Sequence, residues 1–274
     1  MPSVRWSIVL PCFNEEAGLR QTLTALTAWF EDRPEIVVAD DGSTDGTVRV
    51  AETFAAANPH VRVCRLPHRG KGAAIRSGMA QATGEYILLV DADLPFDRPS
   101  IEAARDALAA ADVVLANRRH HDSRYTVPVR LFGFLYRRHL VGWTFNLLVR
   151  TLLRVGHRDT QCGLKGFRRE AFAQMLPSLT TDGFAFDVEM ILTARALGLR
   201  IAEVPVHVAY ESAGSTVRIA TTGTAMAGEL ARLVMRRAAG LYSAPRVRAA
   251  GARTSRPSEA PAQTAQSRHT APEE

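Results

Sequence analysis

Lysine is almost absent from this sequence of 274 residues. Lys71 and Lys165 are its only lysines, so arginine supplies nearly all of the 34 basic side chains that outweigh 28 acidic ones and give a net charge of +6. Arginine suits planar, bidentate recognition of phosphate groups, and GC-rich coding produces the same bias. The composition therefore agrees with a phosphate-binding protein without requiring one.

Paired cysteines and long apolar runs are also missing. Cys12, Cys64 and Cys162 are widely spaced and form no C-x-x-C pair, which argues against a disulfide framework or a zinc site and for a reducing cytosol. No stretch approaches about 18 uninterrupted apolar residues, and the first residues, MPSVRWSIVLP, are too short for a signal peptide. We therefore expect a cytoplasmic protein without a spanning helix.

Two common nucleotide-binding motifs are absent as well. The glycines and cations of HRGKGAAIRSG (68–78) favour a phosphate-facing helix start. They do not match G-x-x-x-x-G-K-[ST], however, and no G-x-G-x-x-G opens a helix in this sequence. A nucleoside triphosphatase and a dinucleotide-dependent oxidoreductase therefore lose their main support.

The sequence does contain an alternation of short apolar strands and helical patterns. Strands are predicted at 6–10, 35–39, 61–66, 86–90 and 112–116, and helices at 15–31, 45–57, 70–82 and 99–110. This alternation predicts an α/β fold with a Rossmann-like, mostly parallel sheet covered by helices on both faces. Ligands of such sheets bind beyond the carboxyl ends of the strands, where polar pairs stand here: Asn14 and Glu15, Asp40 and Asp41, and Asp91 and Asp93.

The stretch YILLVDADLPFD (86–97) runs a buried strand directly into Asp91 and Asp93. Carboxylates at positions i and i+2 project to the same side of an extended backbone, and they repel each other unless a cation lies between them or one is protonated. A divalent ion that also holds a diphosphate, Mg²⁺ or Mn²⁺, removes this repulsion. In ADDGSTDGT (39–47), Asp40 or Asp41 can accept hydrogen bonds from a nucleobase or ribose.

Two further segments differ from the rest of the chain. Residues 126–156 interleave apolar side chains with five arginines and contain no acid, which is the pattern of an amphipathic helical segment in an anionic membrane interface. A helix packed on the protein's own core, with solvated arginines, is the alternative. Residues 241–274 are rich in Ala, Pro, Ser and Arg and are predicted to form a disordered tail after a domain at 1–240.

Five motifs carry a resemblance to a known family. They are VLPCFNEE (9–16), VVADDGSTDGT (37–47), RGKGAAIRSGMAQATGEYILLVDAD (69–93), DTQCGLKGFRRE (159–170) and FAFDVEM (184–190). In order and spacing they resemble the family 2 inverting glycosyltransferases of the GT-A fold. Within that family they are most similar to the branch that transfers glucose or mannose to dolichyl or polyprenyl phosphate.

The resemblance implies roles for particular residues, which divide into a donor group, an acceptor group and a catalytic group. The donor group is Pro11, Phe13, Glu15, Asp40, Asp41, Lys71, Asp91, Ala92 and Asp93, with Asp91 and Asp93 as metal ligands. The acceptor-phosphate group is Arg118, Gln161, Lys165, Ser215 and Arg218, with Asp159 beside it. Contact of Arg118 with the donor diphosphate is the alternative. The catalytic group is Asp93, Arg118, Lys165 and Asp187, and of these Asp187 would face the reaction centre.

The implied donor is UDP-glucose, because QCGLKGF and FAFDVEM resemble the dolichyl-phosphate glucosyltransferase subgroup. Two departures from mannosyltransferases agree with this choice. Pro95 stands where those enzymes often place a third metal-contacting side chain, and HVAYESAGS (207–215) lacks the arginine that usually follows EVPV. GDP-mannose as donor and a sugar as acceptor remain the alternatives.

The sequence therefore predicts a metal-dependent hexosyltransferase, peripheral on the cytoplasmic face of a membrane. Its partners would be a nucleotide sugar, a polyprenyl phosphate, an anionic membrane surface and a separate membrane protein, with no nucleic acid. A phosphate acceptor is already an anion at pH 7, so little general-base catalysis is needed. A D-x-D phosphohydrolase conflicts with Pro95 and with the mid-chain motif, and an inactive scaffold of the same fold conflicts with the intact acids.

Overall fold

The computed structural model describes residues 5–128, 144–209 and 219–242. Ser215 and Arg218 lie outside the described residues. The same is true of 129–143, within the predicted interface segment, and of 243–274, which is nearly all of the predicted tail.

A seven-stranded sheet forms the centre of the molecule. Its strands are β1 (Trp6–Cys12), β2 (Glu35–Asp40), β3 (Val61–Arg65), β4 (Tyr86–Leu89), β5 (Val113–Ala116), β7 (Lys165–Arg168) and β8 (Ile201–Val204). They lie in the order β3-β2-β1-β4-β7-β5-β8, and β7 runs antiparallel to its neighbours β4 and β5 while the other pairs are parallel. A separate parallel pair is formed by β6 (Arg124–Thr126) and β9 (His207–Ala209).

Eight α-helices accompany the sheet within the described ranges. The first four, α1 (Leu19–Trp29), α2 (Thr47–Ala57), α3 (Lys71–Gln81) and α4 (Arg98–Ala107), connect the first five strands. The others are α5 (144–152), α6 (Arg169–Met175), α7 (Phe186–Ala196) and α8 (Ile219–Ala238).

Every helix within the described parts of the chain is too short or too polar to span a membrane.

Apolar side chains fill both faces of the sheet, which is why its central strands read as continuous apolar runs. On one face, Ile8 and Leu10 of β1 pack with Leu23 of α1 and Ile101 of α4. The opposite face carries a second cluster that includes residues of α3, α5, α6, α7 and α8. The prediction of a mostly parallel sheet with helices on both faces is confirmed.

The predicted start of the first helix is wrong. Helix α1 begins at Leu19 and not at residue 15. Asn14 takes a left-handed conformation with φ of 57°, and the carbonyl of Glu15 accepts hydrogen bonds from Gly18 N and Leu19 N in a turn. The residues between β1 and α1 therefore form a loop, and this loop places Asn14 and Glu15 at the edge of the sheet.

Candidate active site

The carboxyl ends of β1, β2 and β4 lie side by side, because these three parallel strands are neighbours in the sheet. The chain crosses from β1 to β2 on one side and reaches β4 on the other. This reversal of direction is where open α/β sheets form a ligand-binding crevice. The structure thus brings the three predicted polar pairs together at one edge, which we call the crevice.

Asp40 ends β2 and carries an oxygen without a partner. Its Oδ2 accepts hydrogen bonds from Gly42 N and Ser43 N, both at 3.1 Å. Its Oδ1 is buried and has no hydrogen-bond partner among the described residues. A buried acceptor left unpaired costs about 1–3 kcal/mol, so this atom is suited to a donor that a ligand brings.

Asp41 is equally buried, but both of its carboxylate oxygens are engaged. Oδ1 accepts from Arg69 N at 2.9 Å and from Gly70 N at 3.1 Å, and Oδ2 accepts from Gly70 N at 2.9 Å. His68 Nδ1 also lies 2.8 Å from Oδ2. Asp41 therefore holds the loop before α3 and has less to offer a ligand than Asp40.

An aromatic pair lies next to these acids. The rings of Phe13 and His68 stack with their centroids 4.3 Å apart and an angle of 19° between their planes. Asp41 holds one edge of the His68 ring, while the His68 side chain remains 59% exposed. Flat rings beside an unpaired acceptor are suited to a planar heterocycle such as a nucleobase.

Asp91, two residues after the end of β4, is paired with the first residue of α3. Lys71 Nζ donates to Asp91 Oδ1 at 2.7 Å. Burial raises the pKa of Asp91, but the Lys71 ammonium outweighs it and holds the pKa below its usual range. Gly163 packs against this carboxylate, and a Cβ at position 163 would overlap Asp91 Oδ2. The position of Asp91 therefore depends on a cation on one side and a glycine on the other.

Glu15, Asp91 and Asp93 concentrate negative charge in the crevice. The backbone after Asp91 is a turn, in which Leu94 N donates to Asp91 O at 3.0 Å and Leu94 has a φ of 41°, so the extended backbone considered for the D-x-D pair is not formed. Burial, and then the charges of Asp93 and Asp91, raise the pKa of Glu15 to about 7, and Lys71 offsets this only in part. Carboxylate oxygens with excess negative charge fit a hard divalent cation.

Arg118, which follows β5, is fixed by Asp159. Its Nε and Nη2 donate to the two carboxylate oxygens at 2.7 and 2.9 Å, and its backbone N–H donates to the same group at 3.1 Å. Burial raises the pKa of Asp159, but Arg118 outweighs it and lowers the pKa. Gln161 N donates to Asp159 as well, at 3.3 Å. The charge of Arg118 also lowers the pKa of Asp91, so the guanidinium acts on the crevice.

Lys165 of β7 and Asp187 of α7 form an ion pair that is almost completely buried. Lys165 Nζ donates to Asp187 Oδ1 and to Cys162 O, both at 2.6 Å, and its side chain is 1% exposed. The charge of Lys165 contributes to the low pKa of Asp91 and of Asp159. Lys165 thus lies within electrostatic reach of both aspartates, and it neutralises Asp187.

Sequence reasoning missed three residues that shape the crevice: His68, Gly163 and Asp182. Asp182 accepts hydrogen bonds from Arg69 Nη2 at 2.7 Å and Arg76 Nη2 at 2.6 Å, and its carbonyl accepts from Ala73 N at 3.1 Å. These contacts join the start of α3, and with it Lys71, to the segment before α7. Asp182 lies more than 100 residues from Arg69 and Arg76 in sequence. Its closeness to the FAFDVEM motif was the only sign in the sequence that it belongs to the site.

Two further donor-group residues lie at or just after the carboxyl ends of β1 and β4. Pro11 pairs with Ala39 in the register of β1 and β2, and the carbonyl of Ala92 accepts from Thr22 Oγ1 at 2.7 Å. Except for Ser215 and Arg218, the structure describes every residue of the predicted site.

Comparison with known sequences gives one family match. Residues 7–176 match the family model described as "Glycosyl transferase family 2". That range runs from β1 to the end of α6 and contains every predicted site residue up to Lys165.

Two curated relatives carry the same name. The chain is 34% identical over 223 residues to dolichyl-phosphate beta-glucosyltransferase of Homo sapiens, in an alignment that covers 75% of this chain and 68% of the relative. It is 30% identical over 261 residues to dolichyl-phosphate beta-glucosyltransferase of Saccharomyces cerevisiae, covering 86% of this chain and 76% of the relative.

The fold is shared with a more distant protein of known structure. The crystal structure of glucosyl-3-phosphoglycerate synthase from Mycobacterium tuberculosis in complex with Mn²⁺, uridine-diphosphate and phosphoglyceric acid superposes with a TM-score of 0.58 and 20% sequence identity. The superposition covers 89% of this chain and 80% of that chain. This likeness confirms the predicted GT-A fold.

Proposed function

The chain belongs to glycosyl transferase family 2, and from this premise we propose that it transfers glucose from UDP-glucose to the phosphate of a polyprenyl lipid, with a divalent metal. The two relatives are named for transfer of glucose to dolichyl phosphate. The observation that carries the proposal is the composition of the crevice, where an unpaired buried acceptor, a stacked aromatic pair and three carboxylates meet.

Asp40 supports uracil as the base. Uracil presents a single N–H donor between two carbonyl groups, which matches the one unpaired oxygen of Asp40. Guanine presents two adjacent donors on its Watson–Crick edge and would use both oxygens of a carboxylate. Asp40 Oδ2 already accepts from two backbone N–H groups, so the geometry favours UDP over GDP.

Asp91 and Asp93 are the residues that would hold the metal. Glu15 lies close enough that the charges of both raise its pKa. Bound there, Mg²⁺ or Mn²⁺ would stabilise negative charge on the departing diphosphate. Lys71 supplies a protein cation at the start of α3, where the backbone N–H groups also favour an anion. Pro95 adds no side-chain ligand, so further coordination would come from phosphate oxygens and water.

Arg118 supports a phosphate acceptor. Asp159 fixes the guanidinium through a bidentate ion pair, while 28% of the Arg118 side chain stays exposed. A cation that is already oriented loses little entropy when it binds an anion. Arg118 is thus suited to orient an acceptor phosphate toward the sugar of the donor.

Asp187 is poorly placed to act as a strong general base. Its carboxylate is buried and accepts a 2.6 Å hydrogen bond from the buried ammonium of Lys165. A phosphate acceptor needs no strong base at neutral pH. We therefore assign the main catalytic contribution to positioning of the acceptor and to charge neutralisation of the leaving diphosphate.

Helix α5 supports contact with a membrane. It lies inside the predicted interface segment and buries Val149 against the core. Leu147, Leu148 and Leu152 are 42%, 45% and 52% exposed, so three large apolar side chains of the described part of α5 face outward. One side of α5 thus packs on the protein, as the alternative proposed, and the other side offers an apolar surface to a bilayer.

Titration of the full chain with UDP and with GDP, each with and without Mn²⁺, tests the donor assignment by calorimetry. We expect UDP to bind at least tenfold more tightly than GDP, and Mn²⁺ to strengthen UDP binding because it shields the three carboxylates. Tighter binding of GDP would favour the mannosyltransferase alternative. Binding of neither nucleotide would favour an inactive scaffold.

A further inference from the structure

A group of metal-ligating side chains lies outside the residues used so far. The loop between β5 and β6 carries His120, His121 and Asp122 in succession, and one ligand atom from each lies within 4.8 Å of those of the other two. Asp122 Oδ2 is 3.1 Å from His121 Nε2 and 3.6 Å from His120 Nδ1. The two imidazole rings stack, with centroids 4.3 Å apart. One carboxylate therefore faces two imidazoles.

The backbone under this group is held by its own hydrogen bonds. His120 N donates to Asn117 O at 3.1 Å, and Ser123 N donates to His120 O at 3.0 Å. Ser123 Oγ also donates to Asn117 O, at 2.7 Å. The three side chains are thus presented on an ordered turn, so little backbone entropy would be lost on binding an ion.

We propose that His120, His121 and Asp122 form a transition-metal site, for which Zn²⁺ is the best match. Two imidazoles and one carboxylate are ligands that zinc prefers, whereas Mg²⁺ and Mn²⁺ favour sites richer in oxygen ligands. The site is therefore chemically distinct from the carboxylates of Asp91 and Asp93. Three protein ligands leave a fourth position of a tetrahedral ion open to water or an anion.

The observed separations are close to what zinc needs. Bonds of about 2.1 Å in a tetrahedron place ligand atoms about 3.4 Å apart, and the limit of 4.8 Å found here requires shifts of about an ångström. His121 and Asp122 make such shifts without repacking the core, because their side chains are 81% and 62% exposed. Binding also requires the stacked imidazole rings to rotate, because a metal lies in the plane of each ring that binds it. An ion on His120 Nδ1 would replace the hydrogen bond that Asp122 N donates to this atom at 3.3 Å.

The proposed metal site lies next to Arg118 in the loop after β5. Arg118 lies two residues before His120, and Tyr125 OH donates to the carbonyl of Arg118 at 2.9 Å. An ion bound at 120–122 would stiffen the loop that carries Arg118. If Arg118 holds the acceptor, as the proposed function states, Zn²⁺ changes the KM for the acceptor more than the affinity for the donor. Ion binding itself does not depend on that function.

Calorimetric titration with Zn²⁺ of the metal-free full chain, from which any affinity tag has been removed, tests the proposal. Wild type is expected to bind one Zn²⁺ that His121→Ala and Asp122→Asn each weaken at least tenfold, with unchanged melting temperatures. His60→Ala serves as the matched control, because His60 lies outside the group beside β3. The double variant Asp91→Asn/Asp93→Asn is expected to retain this Zn²⁺.

Two results would overturn the proposal. One is Zn²⁺ binding by His121→Ala and Asp122→Asn that equals wild type. The other is loss of the Zn²⁺ in the Asp91→Asn/Asp93→Asn variant, which would assign the ion to the crevice. Visible absorption of bound Co²⁺ gives an independent readout, since the bands of an imidazole-ligated ion should disappear in His121→Ala.

Discussion

Asp40 and Asp41 are neighbours in sequence, yet of the two only Asp40 has a side-chain oxygen with no hydrogen-bond partner within the described parts of the chain. The sequence left the two acids equivalent, because the groups that engage Asp41 come from the loop at 68–70, nearly thirty residues further on. The difference arises from tertiary contacts that no local pattern encodes. This difference predicts that substitution of Asp40 weakens nucleotide binding, whereas substitution of Asp41 lowers stability.

Asp40→Asn should weaken UDP binding while leaving the fold intact. The amide oxygen can still accept from Gly42 N and Ser43 N, but an NH₂ group replaces the unpaired acceptor. We expect a loss of about 10- to 100-fold in UDP affinity, or about 1.4–2.7 kcal/mol, measured by calorimetry with Mn²⁺.

Asp41→Asn is the control for this substitution. Both carboxylate oxygens of Asp41 accept hydrogen bonds from backbone N–H groups of Arg69 and Gly70. The substitution turns one of them into an NH₂ group that faces an N–H donor, so it should lower the melting temperature. Wild-type UDP affinity in Asp40→Asn would rule out the assigned role of Asp40.

Asp187→Asn should act first on stability. Lys165 would keep its buried charge and lose its ionic partner, at a cost of about 3 kcal/mol in the free energy of unfolding. Below the melting temperature we expect kcat to fall less than about tenfold. The Lys165–Asp187 ion pair holds residues of the crevice in position and does not take a proton from the acceptor. Urea unfolding and initial rates on the same samples measure both effects.

The double variant Lys165→Gln/Asp187→Asn removes both charges and should recover most of the lost stability. A different pattern would show a direct catalytic role for Asp187. In that pattern, Asp187→Asn would lose turnover completely while its melting temperature and UDP affinity matched wild type.

At the level of elements, the sequence predicts β1–β5 and α1–α4, because long apolar runs and amphipathic helices alternate there. Of the later elements, α5 alone lies in a segment that was predicted to be helical, 126–156. β7 has four residues, which is too short a stretch for a clear strand pattern. Its Lys165 is buried because it pairs with Asp187, which lies 22 residues further along the sequence. β6 and β9 have three residues each, and α7 buries most of its length and so lacks an amphipathic period.

Contacts between distant elements also explain why part of the site could not be predicted from the sequence. Asp182 joins α3 to the start of α7 through Arg69 and Arg76. Burial raises the pKa of Asp182, but the hydrogen bonds from Arg76 and Arg69 outweigh it and hold the pKa below its usual range. A lowered carboxyl pKa means that the folded state is stabilised when the group is ionised.

Asp182→Asn should therefore destabilise the protein in a pH-dependent way. We expect a loss of about 1 kcal/mol at pH 7, since one arginine partner is largely exposed. The difference from wild type should stay constant above about pH 4, the ordinary carboxyl range, and shrink as the pH falls through the lower pKa of the folded state.

Urea unfolding between pH 7 and pH 3.5 checks this dependence. Asp106→Asn, at an exposed pair with Arg105, is the control and should change stability by less than about 0.5 kcal/mol. A difference between Asp182→Asn and wild type that grew toward low pH would contradict the account.

At the scale of the whole molecule, arginine-dominated positive charge and the exposed leucines of α5 favour an anionic bilayer surface. Leu148→Glu/Leu152→Glu should reduce sedimentation with vesicles containing phosphatidylserine at least fivefold without changing the melting temperature, because both side chains are already exposed. High salt should release the wild type.

Thr53→Glu/Ala56→Glu on α2 is the matched control, because it adds the same charge at exposed positions away from α5. It should sediment like wild type. Equal sedimentation of the α5 variant and wild type would show that α5 is not the contact surface.

The most direct test of the central claim is transfer of label into lipid. The full chain is incubated with polyprenyl phosphate, Mn²⁺ and either UDP-[¹⁴C]glucose or GDP-[¹⁴C]mannose, and the organic extract is counted and analysed by mass spectrometry. The account predicts a glucosyl phosphate lipid from UDP-glucose alone, lost in Asp91→Asn/Asp93→Asn. Label in the lipid only from GDP-mannose, or no labelled lipid from either donor, would contradict it.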